Sequence, residues 1–210
     1  MRRILSMTFL ILLTGCASVQ KKDMSAFITA APRSILVVPV VNKSLDLDAP
    51  SYALATLPIP LAEKGYYVFP VHTTKVILEQ EGFYESDRIH MEDAAHLASL
   101  FGADSVLFVT INRWDAQYAF ITTTVTVEIN YRLVSKDNVE LWNEDKKLVY
   151  SPNNSSAGHP LAMLIVAVIN AAVTRAAPNY IPLVQQAHAQ VFLMGPNALP
   201  EGPYTIELKK

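Results

Sequence analysis

Apolar and polar positions along this chain fall into runs of different period, and each run predicts an element. Ser34 to Val41 (Ser-Ile-Leu-Val-Val-Pro-Val-Val) is nearly all β-branched or apolar and suits a strand buried on both faces. Pro39 within it has no amide hydrogen and belongs at an edge or a bulge. Tyr66 to Pro70 and Ser105 to Asn112 are shorter strand runs. Ala119 to Val134 has the cleanest alternation in the chain. Val125, Val127, Ile129, Tyr131 and Leu133 share one face, and Thr124, Thr126, Glu128, Asn130 and Arg132 share the other. Lys136-Asp137-Asn138 then turns the chain, and Val139 to Tyr150 returns as a hairpin strand.

Helical spacing fills the intervals. Ser51 to Thr56 starts a helix that Pro58 and Pro60 interrupt; Leu61 to Lys64 adds a turn, and Gly65 stops it. Thr73 to Gln80 is followed by a stop at Gly82. Met91 to Phe101 carries a stripe of Ala94, Ala95, Leu97, Ala98 and Phe101, with Glu92 and Asp93 in the first turn and Gly102 after the last. Leu161 to Ala177 is the most apolar helix. Ala162, Val166, Ala167 and Ala171 occupy the side where charge is usual, which predicts a core or interface helix that also meets a second copy or a partner. Its uncharged run, Leu161 to Thr174, is too short for the roughly 20 residues of a membrane span. Tyr180 to Met194 is a further short helix or extended segment. Tyr204 to Leu208 is a possible edge strand. The order β-α-β-α-α-β-β-β-α predicts an α/β fold: a mixed sheet with an antiparallel meander and helices packed on it.

The amino terminus changes the picture. Arg2 and Arg3 precede an apolar run from Ile4 to Leu13, the length of a signal-peptide core and too short to span a bilayer. Leu13-Thr14-Gly15-Cys16 resembles the bacterial lipobox. That resemblance implies diacylglyceryl attachment at the Cys16 thiol, recognition of Leu13, Thr14 and Gly15 by the signal peptidase, and cleavage before Cys16. Ala17, where an Asp would favour retention in the inner membrane, points to the outer membrane, facing the periplasm. The expected division is a signal peptide over 1–15, a tether over 16–33 and one α/β domain over 34–210. The mature chain would hold 15 basic and 19 acidic residues, a net charge of −4. No basic cluster suggests nucleic acid. Cys16 is the only cysteine, so with it acylated no thiol remains for a disulfide or a thiolate metal site.

Other stretches carry a wider resemblance. Ile35-Leu36-Val37-Val38-Pro39-Val40-Val41-Asn42 resembles the first strand of TolB amino-terminal-domain-like and CsgG-type envelope proteins. Phe101-Gly102-Ala103-Asp104-Ser105-Val106-Leu107 is similar to their helix-to-strand joint. Gly65-Tyr66-Tyr67-Val68-Phe69-Pro70-Val71, together with the hairpin ending Glu140-Leu141-Trp142, resembles a proteobacterial family of outer-membrane lipoproteins of unknown function. The resemblance implies a TolB amino-terminal-domain-like fold. It also implies a role in an envelope transport or assembly complex, because members are often encoded beside CsgG-type lipoproteins. It brings no catalytic residues.

The residues themselves suggest little chemistry. Glu92 and His96, at i and i+4, could offer two metal ligands, fewer than a stable zinc site needs, so no metal is expected. No phosphate loop, dinucleotide fingerprint or nucleophile elbow occurs. Ser51, Ser105 and Ser155 lack activating neighbours, and the close carboxylates Glu79 and Glu81, or Glu144 and Asp145, suit exposed faces. Tyr66, Tyr67, Trp114, Tyr118, Phe120, Tyr131 and Trp142 could form a recognition surface, although most are expected in the core. The reading is a non-enzymatic, cofactor-free binding or assembly subunit of an envelope transport or secretion complex, held to the membrane by lipid. Its expected partner is a second copy or a CsgG-type lipoprotein. The alternative is a protein that binds or hydrolyses cell-wall glycan or peptide.

Overall fold

The computed structural model describes residues 22–118, 123–150 and 180–205. Six strands among these residues form one sheet: β1 (Ser34–Val37), β2 (Val41–Asn42), β3 (Tyr67–Val68), β4 (Ser105–Tyr118), β5 (Thr123–Ser135) and β6 (Glu140–Tyr150). Their order is β3-β1-β4-β5-β6, with β2 also on β4, on the side that β1 occupies lower down. β1 pairs in parallel with β3 and β4, whereas β4, β5 and β6 form the expected antiparallel meander. The mixed α/β sheet read from the sequence is therefore present.

Pro39 explains why the first apolar run makes two strands. Hydrogen bonding to β4 continues through the amide of Val38 (3.4 Å to the Leu107 carbonyl), lapses at the imide nitrogen, and resumes at Val41. Seven helices among the described residues pack on the sheet: α1 (Ser25–Ala30), α2 (Ala49–Thr56), α3 (Pro58–Glu63), α4 (Val71–Gln80), α5 (Ser86–Met91), α6 (Ala94–Phe101) and α7 (Ile181–Phe192). The parallel half is covered on both faces, as its unbroken apolar run requires. Ile35, Val37, Leu107 and Val109 join a core under α1, α2, α3 and α7. Leu36, Val38, Val106 and Phe108 join a second core under α4, α5 and α6.

β5 obeys its alternation. Val125, Val127, Ile129, Tyr131 and Leu133 are all buried in the first core. On the opposite face the meander is held by polar cross-strand pairs, Lys147 to Glu128 at 3.5 Å and Asn130 to Asp145 at 2.9 Å.

Several boundaries differ from expectation. The span expected as a tether contains α1, whose Phe27 is buried in the first core, so the folded domain begins before Ser34. The helix expected over Met91 to Phe101 begins later: Met91 ends α5, Glu92 and Asp93 are extended, and α6 starts at Ala94. β4 runs past Asn112 to Tyr118, through an irregularity between Ile111 and Arg113. Tyr204 lies in a turn with Pro203, not in a strand. The expected helix Leu161 to Ala177 lies outside the described residues, as do residues 119–122 and 206–210.

The carboxyl-terminal segment closes over the end of α3. Gly202 donates to the Lys64 carbonyl (2.8 Å) and Tyr204 to the Gly65 carbonyl (3.0 Å). Gly65 has φ +89°, and a Cβ there would strike Thr205; a Cβ on Gly202 would strike the Gly65 carbonyl. Two backbones cross where neither can carry a side chain.

Candidate binding surface

The chain leaves β2 through a loop that its own short polar side chains hold. Asn42 Oδ1 accepts from the Ser44 amide (3.0 Å) and from Ser44 Oγ (2.7 Å), and Asn42 Nδ2 donates to the Asp46 carbonyl (2.7 Å). Asp46 Oδ1 accepts from the amides of Asp48 (2.9 Å) and Ala49 (3.2 Å), covering donors at the start of α2. Asn42, Ser44 and Asp46 thus turn inward onto backbone. Leu45 and Leu47, on either side of Asp46, are left 99% and 89% exposed. Burying one leucine is worth about 1.5–3 kcal/mol. Hydrogen bonds thus fix a loop that holds two leucines in water.

Beside the loop, at the carboxyl end of β1, lies a hollow of about 170 Å³ walled by Pro39, Val40, Pro50, Leu54, Phe83 and Tyr84. Open α/β sheets commonly bind ligands at this end of their strands. The hollow is smaller than the few hundred Å³ that a small-molecule pocket usually needs. With largely exposed Tyr84 and the leucine loop, it suits a protruding side chain of another protein better than a free metabolite.

His90 stands behind Pro39. Its Nε2 lies 2.9 Å from the Pro39 carbonyl, its ring is edge-on to Phe108, and Arg132 sits over the Phe108 ring at 4.5 Å. Burial holds His90 down at about 4, aided by Arg132 and opposed by the Pro39 carbonyl and by Asp87. In the opposite core, His188 is fully buried on α7, with Nδ1 2.8 Å from the Tyr131 hydroxyl. Burial holds it at about 3. The Ala53 carbonyl opposes that shift, and Nε2 has no partner in hydrogen-bonding geometry.

These histidines make a stability prediction. Both have folded values below the ordinary 6.5, so the unfolded chain binds more protons as pH falls through that value. Their stabilising contribution is complete above pH 6.5 and declines towards the folded values. Between pH 6.5 and 5, above the carboxylate range, each should cost roughly 1.5 kcal/mol. Urea melts at these two pH values should show the loss in wild type and about half of it in His90→Gln. An unchanged midpoint in wild type would refute the assignment.

A second feature lies across the sheet. Lys22 binds the β6 edge through Nζ, to Glu144 Oε2 at 2.7 Å and to the carbonyl of Asn143, while its amide donates to Asn197 Oδ1 at 3.2 Å. β6 and the turn after α7 enclose an open groove of about 440 Å³. Lys146, Val191, Met194, Pro196 and Ala198 line it, together with Glu144 and Asn197.

Of the residues singled out from sequence, Leu13, Thr14, Gly15 and Cys16 lie outside the described residues, as do Phe120 and Ser155. Glu92 Oε1, in the link before α6, lies 3.2 Å from His96 Nδ1 on that helix, and the hydrogen bond from His96 lowers the Glu92 carboxyl. No group of three or more metal-ligating side chains gathers among the described residues. Ser105 Oγ donates to the Ser34 carbonyl, a bond that fixes β1 to β4. Glu79 pairs with Lys75, and Glu144 with Lys22. Tyr66, Trp114, Tyr131 and Trp142 are core residues, whereas Tyr67 is half exposed. Leu45 and Leu47 were missed. The alternation of Leu with Asp in Ser-Leu-Asp-Leu-Asp was their only signal. Among the described residues no helix is long and apolar enough to cross a membrane.

Residues 22–204 match the family model described as "Putative lipoprotein GNA1162-like". A lipoprotein of Neisseria meningitidis serogroup B, "Putative lipoprotein NMB1124/NMB1162", is 35% identical over 171 residues, covering 80% of this chain and 79% of that one. The crystal structure of lipoprotein GNA1162 from Neisseria meningitidis superposes with a TM-score of 0.57 at 35% identity. It covers 69% of this chain and all of that one. A PelC dodecamer from Paraburkholderia phytofirmans superposes more loosely, with a TM-score of 0.41 at 12% identity, over 63% of this chain and 79% of that one.

Proposed function

The chain belongs to the GNA1162-like lipoprotein family, and on that premise we propose that it is a non-enzymatic docking subunit of an envelope complex, held at the periplasmic face of the outer membrane by lipid on Cys16. The observation that carries this reading is the leucine loop. A catalytic surface gathers titratable groups, whereas the most exposed part of this loop is two aliphatic side chains on a backbone already fixed by Asn42, Ser44 and Asp46. Such anchors contribute affinity when they enter a partner's apolar recess, and the rigid loop loses little entropy in doing so. The partner is a protein: a second copy, or a CsgG-type lipoprotein of the sort the sequence resemblance implies.

The test is affinity purification of the full-length acylated protein from cross-linked membranes. Wild type should retain a defined protein complex. Leu45→Asp combined with Leu47→Asp should lose it, with an unchanged melting temperature, because neither side chain supports the fold. A complex retained at full yield by the double variant would refute the loop as the docking element. Turnover of muropeptides by the purified protein would refute the non-enzymatic reading.

A further inference from the structure

The groove between β6 and the turn after α7 adjoins the point where the amino-terminal segment meets the domain. Lys22 is bonded to Asn143, Glu144 and Asn197, and Glu144 and Asn197 also border the groove. Lys22 follows Cys16 by six positions, so the chain between them reaches about 20 Å at full extension. We propose that this groove is the membrane-facing side of the domain, seated on the headgroups of the bilayer that holds the anchor. The proposal rests on acylation of Cys16.

The walls fit that neighbour. Met194, 58% exposed, and Pro196 present apolar surface at the rim. Glu144, which would repel an anionic leaflet, is paired with Lys22 at 2.7 Å. Lys147 is committed to Glu128 on the other side of the strand, but Lys146 has no ion-pair partner among the described residues and lies in the groove, where it can meet a lipid phosphate. The leucine loop follows β2, three strand spacings from β6, or about 14 Å across the sheet. Seating the β6 edge on lipid leaves that loop standing clear of it.

A single cysteine makes the test clean, because acylation consumes the natural thiol. Met194→Cys and Leu47→Cys in the full-length acylated protein each provide one site for an environment-sensitive fluorophore. The labelled proteins are reconstituted into vesicles of phosphatidylethanolamine and phosphatidylglycerol containing headgroup-quencher lipid. Emission should be lost at position 194 and retained at position 47. In a Lys146→Glu background the loss at 194 should shrink. A loss at 47 equal to or greater than that at 194, or no loss at 194, would overturn the orientation. An undiminished loss with Lys146→Glu would overturn the role of that lysine. Labelling of wild-type protein at Cys16 would instead overturn the anchor reading, and is seen before any vesicle is added.

Discussion

Cys16→Ser should produce a chain that takes up no labelled fatty acid, retains residues 1–15 and fails to be processed as a lipoprotein. The argument is chemical. Thioether formation needs a thiol, a serine hydroxyl is a far poorer nucleophile at neutral pH, and no other cysteine can substitute. The effect is all or none, because the proposed attachment is by two or three acyl chains, each worth about 0.8 kcal/mol per buried methylene, and all of them depend on that thioether. Labelled palmitate supplied to cells, followed by electrophoresis of the precipitated protein, gives the answer. Incorporation into the serine variant would sink the prediction. Fractionation adds a second reading: the helices and sheet close on one another from Lys22 onward, so the variant should be missing from the outer membrane, held instead by its uncleaved apolar segment, with the domain still folded.

The second large effect concerns α7. Phe192 is fully buried, with its ring 5.3 Å from Tyr131, 5.7 Å from Trp142 and 6.2 Å from His188. Trp142 in turn donates Nε1–H to the Asn197 carbonyl at 2.9 Å, fixing the turn that follows the helix. Phe192→Ala removes the ring common to these contacts. Deleting a buried Phe typically costs about 3–5 kcal/mol through lost transfer energy and the cavity left behind. Tyr131 and Trp142 are held by β5 and β6 and cannot collapse far into the space. Denaturant unfolding should therefore show stability lowered by that amount at an unchanged slope. Phe192→Leu should recover more than half. A cost below about 1 kcal/mol would mean that α7 is held elsewhere.

Where periodicity was strict, the fold was legible. β5 alternates from Thr124 to Leu133, and the expected apolar face is the one buried against α7; at the strand's end Val134 turns into the second core on the other face. Gly102 at φ +68° ends α6 as its place in the Gly-Ala-Asp joint suggested. Asp104 in that joint accepts from the Arg33 amide (3.1 Å) and Ser34 Oγ (3.2 Å), setting the start of β1. α1 was illegible because six residues with one buried side chain, Phe27, carry no period. The loop leucines were illegible for a different reason. Apolarity in a sequence reports what a side chain would prefer, and Leu45 and Leu47 occupy positions where local hydrogen bonds override that preference. His188 lay on an apolar helix, but only three dimensions show that Tyr131 supplies its partner.

The clasp at Lys22 also decides how the domain bears load. With lipid on Cys16 and a partner on the loop after β2, as proposed above, the domain is pulled between those two points. Tension from the anchor enters at the β6 edge, through Asn143 and Glu144, and leaves from β2 on the far side of β4. It must cross the β6–β5 and β5–β4 ladders in turn, the two longest in the sheet. The small parallel strands β1 and β3 lie to one side of that line. On that proposal the antiparallel meander is the part of the sheet that carries load between the two points.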